Sequence, residues 1–269
     1  MNDLHRSLAP VSDAAWTQIE AEAKRSLKTA LAARKLVDFI GPLGWDSSAV
    51  SLGRTEPVGR APRAGVEARL RTVQPLVELR TPFELSREEL ESIGRGAHDP
   101  DLDPVRLAAH EAALAEDRAV FHGFREAGIR GIAESAASAR CTIDADYTKY
   151  PALVAEAINR LRNAGVDGPY AIALGPRCYT GLTQSTSAGF PVIEHVRRLL
   201  NGPVVWAPGV DGAIVLSTRG GDFELTVGQD FSIGYLEHTA SAVRLYLQES
   251  FTFRVLSPEA AVPLAYDAA

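Results

Sequence analysis

The chain has few cysteines, no long apolar run and no excess of positive charge, and each shortage excludes a class of protein. Two cysteines among 269 residues are too few for a disulfide framework or a four-thiolate zinc site. No run of about eighteen apolar residues predicts a membrane span, and the N-terminus lacks the apolar segment of a signal peptide. The 28 basic and 34 acidic residues give a net charge of −6, which argues against wrapping nucleic acid. We therefore expect a cytoplasmic protein with neither a membrane nor a nucleic acid as its partner.

Most signatures of enzyme active sites are also missing. There is no P-loop, and Gly94 and Gly96 lack the strand, third glycine and helix of a dinucleotide site. Ser187 precedes Gly189 by two residues, but Ser185 stands where a nucleophile elbow needs its other glycine. The sequence therefore predicts no catalytic residue.

Neither the second cysteine nor the histidines indicate a reactive or metal site. Cys178 has no local sign of activation and is interpreted as a small buried residue. His98, His110 and His122 are spaced by twelve residues, which turns successive ones to different faces of a continuous helix. No Glu-x-x-His pair is present, as a di-iron helix bundle would require. We expect no metal site.

Three helices have clear start signals. Ser12 is a typical N-cap before apolar residues spaced three and four apart, which predicts a helix as far as about Lys35. Ser86 and Glu89 have the spacing of a capping box, in which each side chain binds the other residue's backbone N–H. Asp103 precedes a proline, and this pair predicts the N-cap and first turn of another helix.

The remaining pattern mixes helices and strands, which is typical of an α+β fold. Glycine and proline interrupt the stretch 41–75, which predicts an extended, hairpin-like arm that packs on another subunit. The pattern further predicts helices over 150–163 and 192–200, an exposed loop over 183–189, and strands over 170–174, 204–207, 213–217, 223–227 and 241–255.

Several segments along nearly the whole chain carry a family resemblance, and the strongest are near its end. They are Leu4–Pro10, Ala33–Asp38, Glu78–Arg80, Phe83–Ser86, Glu116–Phe121, Arg219–Leu225, Gly228–Asp230, Ser232–Tyr235, Val243–Tyr246 and Glu249–Phe253. Through them the chain resembles the family 1 encapsulins, the linocin or bacteriocin-like proteins that form shells in bacteria.

The resemblance implies the α+β fold of tailed-phage major capsid proteins, the Hong Kong 97 type. It implies a peripheral domain, an extended loop and an axial domain. The peripheral domain would comprise 1–45, 76–130 and 222–269, the extended loop 46–75, and the axial domain 131–221.

The resemblance also implies partners for the chain. Copies of it would close into an icosahedral shell of sixty subunits. The shell would enclose a dye-decolorizing peroxidase or a ferritin-like protein, and would serve iron storage or the response to oxidative stress. Some relatives bind flavin beside an aromatic residue where Glu88 stands here, so we expect no flavin and no other cofactor.

Two sites follow from the resemblance. The C-terminal targeting peptide of the cargo would bind on the inner wall to Leu27, Leu31, Arg34, Asp38, Asp230, Phe231, Ile233 and Tyr235. The pore loop would consist of Thr183, Gln184, Ser185, Thr186, Ser187, Ala188 and Gly189. Relatives often carry acidic and histidine residues in this loop, and their absence here predicts a narrow opening with little preference for either ion sign.

Two alternatives stay open. One is a phage-type capsid protein that packages DNA, which the acidic net charge disfavours. The other is a protease or bacteriocin whose serine or cysteine nucleophile carries no recognisable local motif.

Overall fold

The structure, a computed structural model, describes residues 4–187 and 189–267. The α-helices are α1 (Asp13–Ala30), α2 (Arg87–Gly94), α3 (Asp103–Phe121), α4 (Ile132–Ser135), α5 (Tyr150–Asn163), α6 (Pro176–Gln184) and α7 (Val192–Leu200). Short 3-10 helices cover Arg6–Leu8, Ala33–Lys35, Arg125–Ala127, Ala137–Ala139, Tyr147–Lys149 and Pro258–Ala260. The strands are β1 (Asp38–Ile40), β2 (Ala49–Pro57), β3 (Arg69–Pro75), β4 (Val77–Ser86), β5 (Cys141–Thr142), β6 (Tyr170–Leu174), β7 (Thr186–Ser187), β8 (Phe190–Pro191), β9 (Val204–Trp206), β10 (Ala213–Ser217), β11 (Phe223–Val227), β12 (Ser232–His238), β13 (Ala242–Val255) and β14 (Ala261–Ala265).

Two five-stranded sheets organise the part of the chain that the structure describes. In the first sheet the long strand β13 pairs with β4 on one side and with β11 and β12 on the other, while β1 lies parallel to β11. The second sheet has the order β5-β14-β10-β6-β9. Because β14 pairs with β10, residues 261–265 lie with the stretch 131–221, which differs from the expected grouping of 222–269.

The helices α1, α2 and α3 pack on one face of the first sheet. Their apolar side chains form a core with those of β4, β12 and β13. Trp16 and Ile19 of α1 are buried there, as the spacing of three and four residues predicts. Alanines at positions 108 and 112 of α3 belong to the same core, and small side chains allow close approach of neighbouring helices. A second, larger core fills the space around the second sheet and continues to β11 and the far end of β13.

The first helix ends earlier than the sequence predicts. Ser12 does cap it, since its Oγ accepts the N–H of Ala15 at 3.3 Å. The helix stops at Ala30 rather than near Lys35. The carboxylate of Asp117 on α3 accepts the backbone N–H groups of Ala32 and Ala33, each at 2.9 Å, and so takes up donors that a continued helix would use. A contact between distant segments therefore turns the chain towards β1.

The starts of α2 and α3 also differ in detail from the sequence prediction. Ser86 caps α2 by accepting the N–H of Glu88 at 3.2 Å, not that of Glu89. The Glu89 carboxylate instead accepts the N–H of Asp101 at 3.0 Å, so the expected reciprocal capping box is not formed. Asp103 is the first residue of α3 rather than its N-cap, and its N–H binds the Asp101 side chain at 3.0 Å.

The hairpin β2–β3 extends from the body with little packing of its own. No residue of either strand is buried, and Leu70 and Val73 have exposed fractions of 64% and 53%. The base is closed where the N–H of Leu76 donates to the carbonyl oxygen of Ser48 at 2.9 Å. An arm with so many uncovered apolar side chains is suited to packing against another chain.

Candidate functional site

A groove of about 530 Å³ lies between α1 and β12. Six of the eight residues expected to hold a cargo peptide line it: Leu27, Leu31, Arg34, Asp230, Phe231 and Ile233. Eight further residues line the groove that were not predicted from the sequence: Leu4, Arg6, Glu20, Ala23, Lys24, Lys28, Ser232 and Leu247. The helical spacing of Ala23, Leu27 and Leu31 on one face of α1 was the signal that could have identified part of this set.

The floor of the groove is apolar and continuous with the protein core. Leu27 on α1 and Leu31, the residue that caps the end of this helix, line the groove together with Ile233 of β12. Ile233 is buried and lies beside Leu247, its partner on β13. Leu27 and Phe231 are only half-buried, so the floor keeps apolar surface that an extended chain with aliphatic side chains could cover.

Charged side chains form the rim. Arg6 closes one end: its guanidinium forms an ion pair with Glu20 at 2.6 Å and lies 4.1 Å from the centre of the Trp16 ring. Lys24 and Lys28 are exposed along the α1 side, and neither forms an ion pair with a described residue. These two ammonium groups are therefore available to a bound ligand.

Arg34, at the other end of the groove, belongs to a buried ionic cluster. Its guanidinium binds Glu116 at 2.5 Å, Asp230 at 2.8 Å and Glu249 at 3.2 Å. Burial lowers the pKa of Arg34, but the three carboxylates, Glu116 foremost, outweigh it and raise the pKa. Burial, reinforced by Glu116, raises the pKa of Glu249 well above its ordinary value. With its donors held by this cluster, Arg34 shapes the end of the groove and fixes Asp230 beside Phe231.

The other two residues expected at the cargo site lie outside the groove. Asp38 begins β1, where its carboxylate accepts the N–H of Gly221 at 2.6 Å. Tyr235 lies on β12, and its hydroxyl is 2.5 Å from Nδ1 of His238. The backbone N–H of Tyr235 donates to the carbonyl oxygen of Leu4 at 2.8 Å, so Tyr235 helps to hold the N-terminal arm beside the groove.

The expected pore loop is more ordered than the sequence predicts. Thr183 and Gln184 form the last turn of α6, and Ser185 is its C-cap. Thr186 and Ser187 form β7, which pairs with β8. The tight turn uses Gly189 with a φ of +82°, a conformation that favours glycine, while Ala188 lies outside the described residues. The segment ends in a small hairpin, in which Thr186 pairs with Pro191 and Ser187 with Phe190.

The described residues present no cluster that could bind a metal ion, and the thiol considered as a nucleophile is not activated. Among residues 4–187 and 189–267, no three histidine, cysteine or acidic side chains are arranged to hold a metal ion. Burial raises the pKa of the Cys178 thiol, which disfavours the nucleophilic thiolate. None of the helices described here combines the length and apolar character that crossing a bilayer requires.

Comparison with known proteins shows what this architecture resembles. A family model described as "Encapsulating protein for peroxidase" matches residues 1–252. A type 1 encapsulin shell protein of Rhodospirillum rubrum is 58% identical over 270 residues, covering 98% of this chain and 96% of the relative. A type 1 encapsulin shell protein of Mycolicibacterium paratuberculosis is 49% identical, covering 98% of this chain and 99% of the relative. The chain belongs to the encapsulin family.

Solved structures of capsid-like particles share the fold of this encapsulin. A virus-like particle from Pyrococcus furiosus has a TM-score of 0.64 at 17% identity, covering 92% of this chain and 98% of its own. The structure of Mycobacterium phage Bobi has a TM-score of 0.58 at 13% identity, covering 89% of this chain and 91% of its own. At such low identity the likeness concerns the fold alone, and it confirms the α+β capsid fold of the Hong Kong 97 type.

Proposed function

We propose that this encapsulin is the structural subunit of a closed icosahedral shell in the cytoplasm, and that the shell encloses an enzyme. Close relatives are named shell proteins, and the family is described by the peroxidase it encapsulates. We propose a peroxidase as cargo, with a ferritin-like protein as the alternative. The exposed hairpin β2–β3 supports assembly, since its apolar side chains lack partners within one subunit.

The observation that carries the cargo assignment is the apolar groove between α1 and β12. We propose that the C-terminal peptide of the cargo lies in it as an extended chain. Aliphatic side chains of the peptide would cover Leu27 and Phe231, while the ammonium groups of Lys24 and Lys28 would bind its carbonyl or carboxylate groups. The β12 edge already holds part of the N-terminal arm, because the N–H of Tyr235 donates to the carbonyl oxygen of Leu4. Asp38 and Tyr235, outside the groove, would act only through the strands that they help to fix.

Particle size and composition test this proposal. Sixty copies of a 28.9 kDa chain correspond to about 1.7 MDa, so we expect a megadalton species in size-exclusion chromatography and closed shells in negative-stain images. Mass spectrometry of particles from the native host should identify one abundant enzyme. A monomer with hydrolytic activity would contradict the shell, and nuclease-sensitive absorbance at 260 nm would favour a DNA-packaging capsid.

A further inference from the structure

Three tyrosines surround one of the two cysteines where α5, α6 and the end of β14 meet. The hydroxyl of Tyr266 lies 3.1 Å from the Cys178 sulfur and 2.7 Å from the hydroxyl of Tyr147. The ring of Tyr150 stacks on that of Tyr147, with 6.1 Å between the centroids. We call Tyr147, Tyr150, Tyr266 and Cys178 the tyrosine–thiol cluster. It lies outside the groove, which none of its members lines.

The hydrogen bonds of the cluster can run in one direction. The Tyr147 hydroxyl donates to the carbonyl oxygen of Arg177, at a long 3.4 Å, which leaves its oxygen free to accept. Tyr266 can then donate to Tyr147 and accept from the Cys178 thiol, since a hydroxyl is both donor and acceptor. The chain of donors therefore leads from the sulfur through Tyr266 to Tyr147.

The two ends of this chain differ in exposure. Cys178 has an exposed fraction of 0%, whereas Tyr147 and Tyr266 are half-buried and reach the surface. Tyr150 is also buried, and its hydroxyl has no hydrogen-bond partner in the described structure. Burial, and next the neighbouring Cys178, raise the pKa of Tyr150 well above its ordinary value. A bulky oxidant in solution can therefore meet Tyr147 and Tyr266 but not the sulfur.

Close packing brings the cluster together. A side chain at position 181 would place its Cβ 2.4 Å from the ring of Tyr147, so Gly181 allows this ring to lie directly on α6. The guanidinium of Arg177 lies 3.9 Å from the centre of the Tyr266 ring. That positive charge opposes a cationic ring, so an electron can leave Tyr266 readily only if the hydroxyl proton leaves with it.

We propose that the tyrosine–thiol cluster takes up one oxidising equivalent from radical oxidants and transfers it to Cys178. In the first step Tyr266 gives an electron to the oxidant and its hydroxyl proton to the oxygen of Tyr147, which releases its own hydroxyl proton to water, leaving a neutral tyrosyl radical on Tyr266. In the second step the S–H bond of Cys178 breaks and the O–H bond of Tyr266 re-forms, leaving a thiyl radical. In air, dioxygen adds to this sulfur and forms an S–O bond, placing Cys178 on the path of cysteine oxidation.

Direct reaction of Cys178 with peroxide does not offer the same route. Peroxides attack the thiolate, and burial raises the pKa of this thiol, so the protonated form prevails. The inference does not rest on the proposed shell function, because it needs only the contacts within one chain. A radical oxidant from any source would serve.

Photogenerated tris(bipyridine)ruthenium(III), with the purified full-length chain in air, tests the proposal. We expect mass spectrometry to find added oxygen on Cys178 and little on Cys141, the matched control. Cys141 is also buried, but among the described residues its sulfur has a hydrogen bond only to the carbonyl oxygen of Ala139, at 3.9 Å, and none to a tyrosine. Equal oxidation of the two cysteines would overturn the proposal, and this comparison needs no variant.

Two variants separate the steps. Tyr266→Phe should lose the oxidation of Cys178, whereas Tyr170→Phe, which removes a buried hydroxyl bonded to the Val166 carbonyl, should not. Cys178→Ser should prolong the tyrosyl signal in freeze-quenched electron paramagnetic resonance. Unchanged oxidation in Tyr266→Phe, or an unchanged radical lifetime in Cys178→Ser, would show that the hydrogen bonds are structural only. Circular dichroism verifies that each variant is folded.

Discussion

Asp117 shows how much one buried side chain determines in this fold. It lies on α3 with an exposed fraction of 0%, and its two oxygens accept the backbone N–H groups of Ala32 and Ala33. These bonds end α1 and turn the chain so that Arg34 reaches the carboxylates of Glu116, Asp230 and Glu249. Burial raises the pKa of Asp117 to about 7, although the two backbone N–H groups oppose the shift. The Asp117 carboxyl group therefore gains or loses its proton near neutral pH.

This raised pKa predicts a dependence of stability on pH. Between an ordinary value of 3.8 and about 7, folded Asp117 keeps a proton that the unfolded chain has lost. The free energy of unfolding should then fall as pH rises through this window, by at most about 1.4 kcal/mol per pH unit. The stabilisation that Asp117 contributes is complete below the window and is lost as pH rises through it. Chemical unfolding of the wild type and Asp117→Asn over a pH series, in the same assembly state, measures the difference. Parallel pH profiles of the two proteins would contradict the prediction.

A second prediction at the residue scale concerns the groove. Leu27 is half-buried on its floor, so Leu27→Gln should weaken cargo loading by removing apolar contact while leaving the core intact. Ile233→Asp should abolish loading altogether. Because Ile233 belongs to the core, however, the unpaired charge would also destabilise the subunit, so Leu27→Gln is the more specific test.

The matched control for Leu27→Gln is Ala21→Gln. Ala21 is exposed on α1 but does not line the groove. The ratio of cargo to shell protein in purified particles gives the result. Equal loading in the two variants would place the docking site elsewhere.

At the scale of elements, the hairpin β2–β3 contributes no residue to the buried cores of its own subunit. None of its strand residues is buried, and Ser48 and Leu76 are hydrogen-bonded at its base. Removing the hairpin therefore takes nothing from either core, and a short linker can rejoin the ends.

We predict that deletion of residues 50–72 leaves a folded subunit that fails to close into shells, because the neighbours lose the arm that completes their contacts. Circular dichroism should show retained structure, and negative-stain microscopy should show unassembled or aggregated protein. A shorter deletion of 60–66, which keeps both strands, is the control and should perturb assembly less. Intact shells from the longer deletion would show that the arm is dispensable.

Elements with strong local signals were predicted well from the sequence, and those that depend on distant partners were not. The predicted bounds of α5, α7 and β6 agree with the structure because periodicity and flanking turn residues define them locally. The strand β14 was missed: it contains Pro263, which normally argues against a strand inside a sheet, yet it pairs on both sides.

The buried acids of α3 were missed for a related reason. Glu116 and Asp117 have the residue types of a solvated helix face, and their partners lie more than eighty residues away. The groove could be predicted in part, because apolar spacing along α1 is local. The part of its rim formed by Arg6 could not, because Arg6 reaches the groove only through the fold, and Asp230 was expected from the family resemblance alone.

At the scale of the whole assembly, a symmetry axis repeats the side chains of the hairpin β7–β8 once for each copy around it. From the family resemblance we predict that this hairpin lies at the fivefold axis of the shell. The described residues from 183 to 187 contribute hydroxyl and amide groups without charge, and Phe190 of β8 is exposed with a fraction of 58%. Rings of charge or closely spaced carbonyls are what usually select ions. An opening lined by these side chains should pass water and small solutes with little preference for ion sign.

Ser187→Asp tests whether this hairpin lines the pathway. Ser187 is half-buried in β7, opposite Phe190, so an aspartate there would add one carboxylate per copy and hence a negative ring around the axis. We expect faster entry of divalent cations, followed with a metal-sensitive dye enclosed in the shell, and an effect that weakens at high salt because screening shortens the range of the ring's field. Ser138→Asp is the control, since Ser138 is exposed away from the hairpin and the variant has the same net charge. If cations enter the two variants at the same rate, the passage lies at another symmetry axis.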